Sequence, residues 1–281
     1  MNDHWGDPQG KARPDTVACH ARAVQRVMAT MRDRLDEELS LHEMADVAIM
    51  SKFHFNRTFH HVTGIPPGRF LGALRLERAR QLLLTTQKRV TDVCFDVGYN
   101  SLGTFTRRFT EVLGVSPRGL RSYAAAGSPA IGPPARVLRR EKSGEGQSVS
   151  GTVVAPPEFT GLVFVGLFRT AVPHGAPAAC RVLTGSGPFS LRAPAGRYHV
   201  YALGVRTPAD PLSLLMFDDA LRAAAGTIDV SATMTPAPVH LSLRPRSEFD
   251  PPILLTLPLL LARRAVPATH SRHGPSSEAV A

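Results

Sequence analysis

The chain has 281 residues, 43% of them hydrophobic and 20% charged, which fits two modest globular domains and excludes a disordered chain. No run of about 18 uncharged apolar residues occurs. The start MNDHWGDPQGKARPD lacks the apolar middle of a secretion signal, so the expectation is a cytoplasmic protein without membrane association. Cys19, Cys94 and Cys180 are too few and too scattered for a disulfide framework or a CxxC metal site. The net charge of +10 is concentrated, because residues 51–140 hold 15 Lys and Arg against 4 Asp and Glu. A basic stretch within one segment points to a polyanion partner, with a solubilising surface as the other reading.

Composition divides the chain into a polar tail (1–15), a segment of helical periodicity (16–126), a Gly-, Pro- and Ser-rich linker (127–150), short strand-like runs (151–262) and a second tail (263–281). Val24, Val27, Met28, Met31 and Leu35 predict an amphipathic helix over residues 16–38. Ser40 with Glu43 forms a capping box for a short helix ending near Ala48. Ser51 caps KFHFNRTFHHVT, which Gly64 terminates. Pro66 and Pro67 open a further helix, and an apolar series from Phe70 to Leu83 carries it to about Thr85.

The pattern then recurs. LHEMADVAIMSKFHFNRTFHHVTGIPP is echoed by VTDVCFDVGYNSLGTFTRRFTEVLGVSP. Phe55, Arg57, Phe59, Gly64 and Pro67 return fifty residues later as Phe105, Arg107, Phe109, Gly114 and Pro117. Upstream of the turn the offset is 49, pairing Ala45 with Cys94, so the second turn holds one extra residue. Each copy reads as a short helix, a tight turn and a second helix. Ala45 and Cys94 are small where two helices cross, and Gly98 can take the left-handed conformation of such a corner. The four phenylalanines are spaced to face a core.

The opposite faces are polar and basic. They show Lys52, His54, Asn56, Arg57 and His60 in the first copy, and Gly103, Thr104, Thr106, Arg107 and Arg108 in the second. Arg for guanine, Asn for adenine and Thr for phosphate or a thymine methyl is the chemistry of a major-groove helix. Lys52 and Ser101 lie at helix N-termini, where the helix dipole favours phosphate. A helix from Pro67 to Thr85 would be roughly 28 Å long, against roughly 34 Å for one turn of B-form DNA. Such a helix can hold two recognition helices in successive major grooves of one DNA face.

With these motifs the sequence resembles the AraC/XylS family of bacterial regulators. The signature lies in VCFDVGYNSLGTFTRRFTEVLGVSPRGLRSY, and the match runs from residue 16 to about 124. The resemblance implies base contacts from Phe53, Asn56 and Arg57 with Lys52 on phosphate, and further contacts at Leu102, Gly103, Thr106 and Arg107. Gly103 and Leu102 depart from the polar residues many members carry, which shifts the second helix toward backbone contacts. Phe53 either points outward to a thymine methyl or is a third core phenylalanine.

In the second half, FTGLVFVGLF and ACRVL read as strands. FSL and RYHVYAL around Pro-Ala-Gly predict a hairpin, PLSLLMFDDALRAAAG includes a short helix, and HLSLRP is another strand. DPPILLTLPLLLARR closes the segment as an apolar run packed on a core. The piece GPFSLRAPAGRYHV is similar to small prealbumin-like β-sandwiches. The expected architecture is therefore multidomain: an all-α N-terminal domain with tandem helix-turn-helix units joined by a long helix, then a mainly-β, sandwich-like domain. For that second domain two roles stay open, a small-molecule sensor using Arg197, Tyr198, His199 and Tyr201, or an interaction module that dimerises or contacts RNA polymerase.

No GxSxG, Walker-type or GxGxxG-plus-acid pattern occurs, and His54, His60 and His61 lack a neighbouring Cys or carboxylate for metal. Neither an enzyme nor a cofactor is expected. The expected partner is double-stranded DNA. The alternatives are a non-specific architectural DNA-binding protein and an enzyme domain targeted to DNA.

Overall fold

The structure, a computed structural model, describes residues 14–125, 146–207, 213–231 and 236–256. Residues 1–13 of the first expected tail, the second tail, most of the linker and the end of the closing apolar run lie outside these residues. Helices α1 (Pro14–Asp33), α2 (Leu41–Ala48), α3 (Lys52–Thr63), α4 (Pro67–Thr85), α5 (Val90–Asp96), α6 (Leu102–Leu113) and α7 (Pro117–Ala125) make up the first part. The first helix starts inside the stretch expected to be a tail and stops five residues short of residue 38. The turn that follows gives the Leu35 and Glu37 carbonyls to Arg75 of α4, at 3.0 and 2.6 Å.

Local chemistry sets the helix ends. Ser40 and Glu43 make both hydrogen bonds of a capping box, at 2.8 and 3.2 Å. Ser51 and Ser101 cap α3 and α6, and Gly64 (φ 77°) and Gly114 (φ 74°) end them in the left-handed region. The two inter-helix turns close in the same way. The N–H of Met50 donates to the carbonyl of Ala45, and that of Tyr99 to Cys94. The left-handed corner is Ile49 (φ 58°) in the first turn and Gly98 (φ 76°) in the second. Gly98 has a second constraint, because a Cβ there would strike the Leu35 carbonyl oxygen and lie 2.8 Å from the Arg75 guanidinium carbon.

Between the helix pairs runs α4, with buried residues around its circumference, as expected of a helix enclosed by protein. Phe70, Leu71 and Leu74 join the core of α1, α2 and α3, where Phe55 and Phe59 are fully buried. Ala73, Leu76, Ala79, Leu82 and Leu83 join the core of α5, α6 and α7 with Phe105 and Phe109. Its remaining side carries Glu77 and Arg80, which meet the second half of the chain.

That second half holds β1 (Gln147–Val154), β2 (Gly161–Phe168), β3 (Ala179–Thr184), β4 (Gly187–Ala193), β5 (Gly196–Arg206), a short helix α8 (Ser213–Met216), β6 (Leu221–Val230) and β7 (Val239–Ser242). One sheet has the order β4-β1-β7 and the other β3-β2-β5-β6. Their facing sides share a core that includes Val149, Val153, Val165, Leu191, Tyr198 and Val200. The expected FSL/RYHVYAL hairpin is corrected: β4 pairs with β1, whereas β5 pairs with β2 and β6. Both strands alternate, but across the sandwich, so the Pro-Ala-Gly turn crosses between layers; alternation alone fits either arrangement.

Two further boundaries differ from expectation. β1 occupies the end of the stretch expected to be linker, because Val149, Gly151 and Val153 are buried between its Ser and Gln residues. LRAAAG, grouped with the short helix in the sequence, begins β6. The apolar run of β2 is explained by burial on both faces. Its inner side meets the other sheet, and its outer side packs Phe164 and Phe168 against Phe217, Ile253 and Leu255.

The second half packs directly on the helices. The fully buried Arg80 donates to the carbonyls of Ile253 (2.9 Å), Leu255 (3.4 Å) and Met216 (3.2 Å), with its guanidinium over the Phe217 ring. Arg246 pairs with Glu77 at 3.1 Å. The Thr256 hydroxyl donates to the Leu113 carbonyl and the Gly175 N–H to that of Val112, both at 2.8 Å, at the C-terminal end of α6.

Gly98→Ala should cost more stability than Gly64→Ala or Gly114→Ala. The latter two meet open space and carry only the left-handed penalty of about 1–2 kcal/mol, whereas Gly98→Ala adds a clash. Thermal unfolding of the three variants checks the ranking, and equal losses would contradict it.

Candidate nucleic-acid interface

Helices α3 and α6 each divide into a core side and an open side. In α3, Phe55, Thr58, Phe59 and Thr63 are buried, while Lys52, Phe53, His54, Asn56, Arg57, His60 and His61 are exposed. The buried set falls at helical spacing, so the polar set must share the opposite face. Phe53 is 84% exposed, which decides its two readings in favour of outward. Among the described residues no carboxylate pairs with Arg57.

In α6, Phe105, Phe109, Val112 and Leu113 are buried. Leu102, Gly103, Thr106 and Arg107 line one shallow open depression together with Thr110 and Glu111. Leu102 is 39% exposed and Thr106 half-buried. All eight candidate residues therefore sit on the open sides of two helices, α3 in one of the two cores that α4 completes and α6 in the other. The first amide groups of both helices are orphan donors at a positive dipole end, beside Lys52 in α3 and Ser101 in α6. This surface can offer cations, amide donors and a few apolar contacts to a polyanion.

The sequence did not single out Glu111. Its carboxylate lies 3.8 Å from Arg107 and 3.6 Å from Arg108, and the signal was present as spacings of four and three residues on one helix. It competes with any phosphate for both arginines. Cys94 lies buried under the second turn, and burial raises its thiol pKa, disfavouring the reactive thiolate. Among the described residues no group of three or more His, Cys, Asp or Glu could hold a metal ion, and no helix is long and apolar enough to cross a membrane.

Comparison with known proteins places the similarity on the helical half. The family described as a helix-turn-helix domain matches residues 44–123. The HTH-type transcriptional activator RhaS of Enterobacter sp. (strain 638) is 35% identical over 98 residues, 35% of this chain and 35% of its own length. The chain thus spans about a third of that curated relative. The transposon Tn10 TetD protein of Escherichia coli is 31% identical over 98 residues, 35% of this chain and 71% of TetD. Among solved structures, a transcriptional regulator with an AraC-type DNA-binding domain from Chromobacterium violaceum is 27% identical. It covers 38% of this chain and 96% of its own, with a TM-score of 0.36.

Exposed pairs of this kind contribute about 0.2–1 kcal/mol, so Glu111→Gln should free Arg107 and Arg108 at little structural cost. Binding to duplex DNA, followed by fluorescence anisotropy at low salt, should tighten by about twofold to fivefold. Weaker binding would show that Glu111 positions the arginines instead of competing for them.

Proposed function

The chain belongs to the AraC family of transcriptional regulators and carries its DNA-binding helix-turn-helix domain; on that premise we propose that it reads two adjacent half-sites through tandem units, α2–α3 and α5–α6, held by α4. The observation that carries this reading is the repeated geometry: identical turn hydrogen bonds onto Ala45 and Cys94, and equivalent open faces on α3 and α6. In α3, Asn56 and Arg57 read base edges, Phe53 meets a thymine methyl and Lys52 holds phosphate. In α6, Arg107 and Thr106 reach the DNA while Gly103 and Leu102 bring the helix backbone close.

The second half acts as a sensing module. Support comes from its packing on α4 and on the C-terminal end of α6, a position from which a change in the sheets reaches the DNA-reading helices.

Binding-site mapping followed by footprinting should give a protected site of about two helical turns per protomer. Arg57→Ala should cost roughly 1–3 kcal/mol and relax base preference at one position. Lys52→Ala should weaken all sequences alike and flatten the salt dependence. Equal affinity for random DNA would defeat the regulator reading and favour a non-specific architectural protein.

A further inference from the structure

A cleft of about 460 Å³ lies between the end of α3 (Val62, Thr63, Gly64) and the β5–β6 face of the larger sheet, within the size range of small-molecule sites. Its walls are mixed. Ala224, Phe249 and Ile253 supply apolar surface, and Arg222, Arg244, Asp250 and His199 supply polar groups.

Arg222 is the unusual member. It is 6% exposed, yet its Nε and Nη1 atoms are buried with no hydrogen-bond partner, and only Nη2 donates, to the Phe217 carbonyl at 3.4 Å. The neighbouring charges are already committed. Asp250 is held by both Nη atoms of Arg244 at 2.6 and 2.8 Å, and Glu77 by Arg246. Arg80, also buried, donates from both Nη atoms to carbonyls, leaves its Nε without a partner, and has no paired carboxylate among the described residues. Burial pushes Arg222 down to about 10, so it keeps its charge at neutral pH. Asp250 and Glu77 act on its charge from nearby, but a buried guanidinium with unmade hydrogen bonds costs stability, and an anion arriving in the cleft would relieve that cost.

We infer that this cleft binds a small organic carboxylate, with the carboxylate on Arg222 and an apolar body along Ala224, Phe249 and Ile253, and that its occupant acts on the end of α3. The inference rests on the sensing role proposed above and names its ligand class. A dianion such as phosphate is disfavoured by Asp250, and an uncharged ligand brings no charge to meet Arg222.

The test uses the full chain with benzoate and hexanoate as probes, and benzamide and inorganic phosphate as controls. Either carboxylate should raise the thermal midpoint by about 5 °C at a hundredfold excess over its Kd, and the controls should not. Arg222→Met should abolish the shift. Ala224→Trp, which blocks the cleft from an exposed position, should abolish it independently. Specific DNA affinity should change on the order of fivefold with carboxylate in the wild type only. No shift with either probe, an equal shift with a control, or a shift surviving both variants overturns the site. A midpoint shift with unchanged DNA affinity overturns the action on α3. Specific DNA binding without any carboxylate response defeats this inference and leaves the regulator reading standing, whereas a carboxylate response without sequence-specific DNA binding does the reverse.

Discussion

A helix has a limited circumference, and α4 commits all of it. One stripe completes the core of α1 to α3, another completes the core of α5 to α7, and the remaining side carries Glu77 and Arg80 into the second half of the chain. The relative placement of α3 and α6 therefore depends on one rigid element shared by two cores. Rotating α4 by even part of a turn would withdraw side chains from three packed surfaces together, and close-packed interiors resist such motion. The arginines at its margins add to this, since Arg75 ties α4 to the end of α1 and Arg121 of α7 donates to the Leu83 carbonyl of α4 at 3.3 Å.

The second half uses the same economy. Its larger sheet is covered on both sides, by the smaller sheet within and by Phe217 and the segment from Ile253 to Leu255 without. That closing segment bridges the sheet to α4: the Leu254 N–H donates to the Pro173 carbonyl, and the Ile253 and Leu255 carbonyls accept from Arg80. Contacts at the C-terminal ends of α3 and α6 leave the exposed N-terminal halves of both helices clear.

What could be read from the sequence was whatever is encoded locally. The Ser40–Glu43 box, the Ser51 and Ser101 caps and the glycines at 64 and 114 act within a few residues of themselves, the left-handed corner at Gly98 does so too although its contact with Leu35 and Arg75 does not, and the phenylalanine repeat needs only helical spacing. The open faces of α3 and α6 follow from the same periodicity, which is why all eight candidate residues lie there. Strand pairing was not legible, because the alternation in β4 and β5 is the same in a hairpin as across a sandwich. β1 was hidden by its Ser, Gly and Gln residues. Arg80 and Arg222 carried no local mark at all: their meaning comes from residues such as Ile253, 173 positions from Arg80.

That long separation has a consequence for biosynthesis. The helical half is complete at Ala125, but the residues that cover the outer side of α4 follow about 130 residues later. At ordinary rates of translation that gap lasts on the order of ten seconds. During it the nascent helices can settle around their two cores while Arg80 stays hydrated. Burial of that guanidinium thus waits on residues made well after the helices, and the ribosome's own pace separates formation of the DNA-reading helices from their coupling to the sheets.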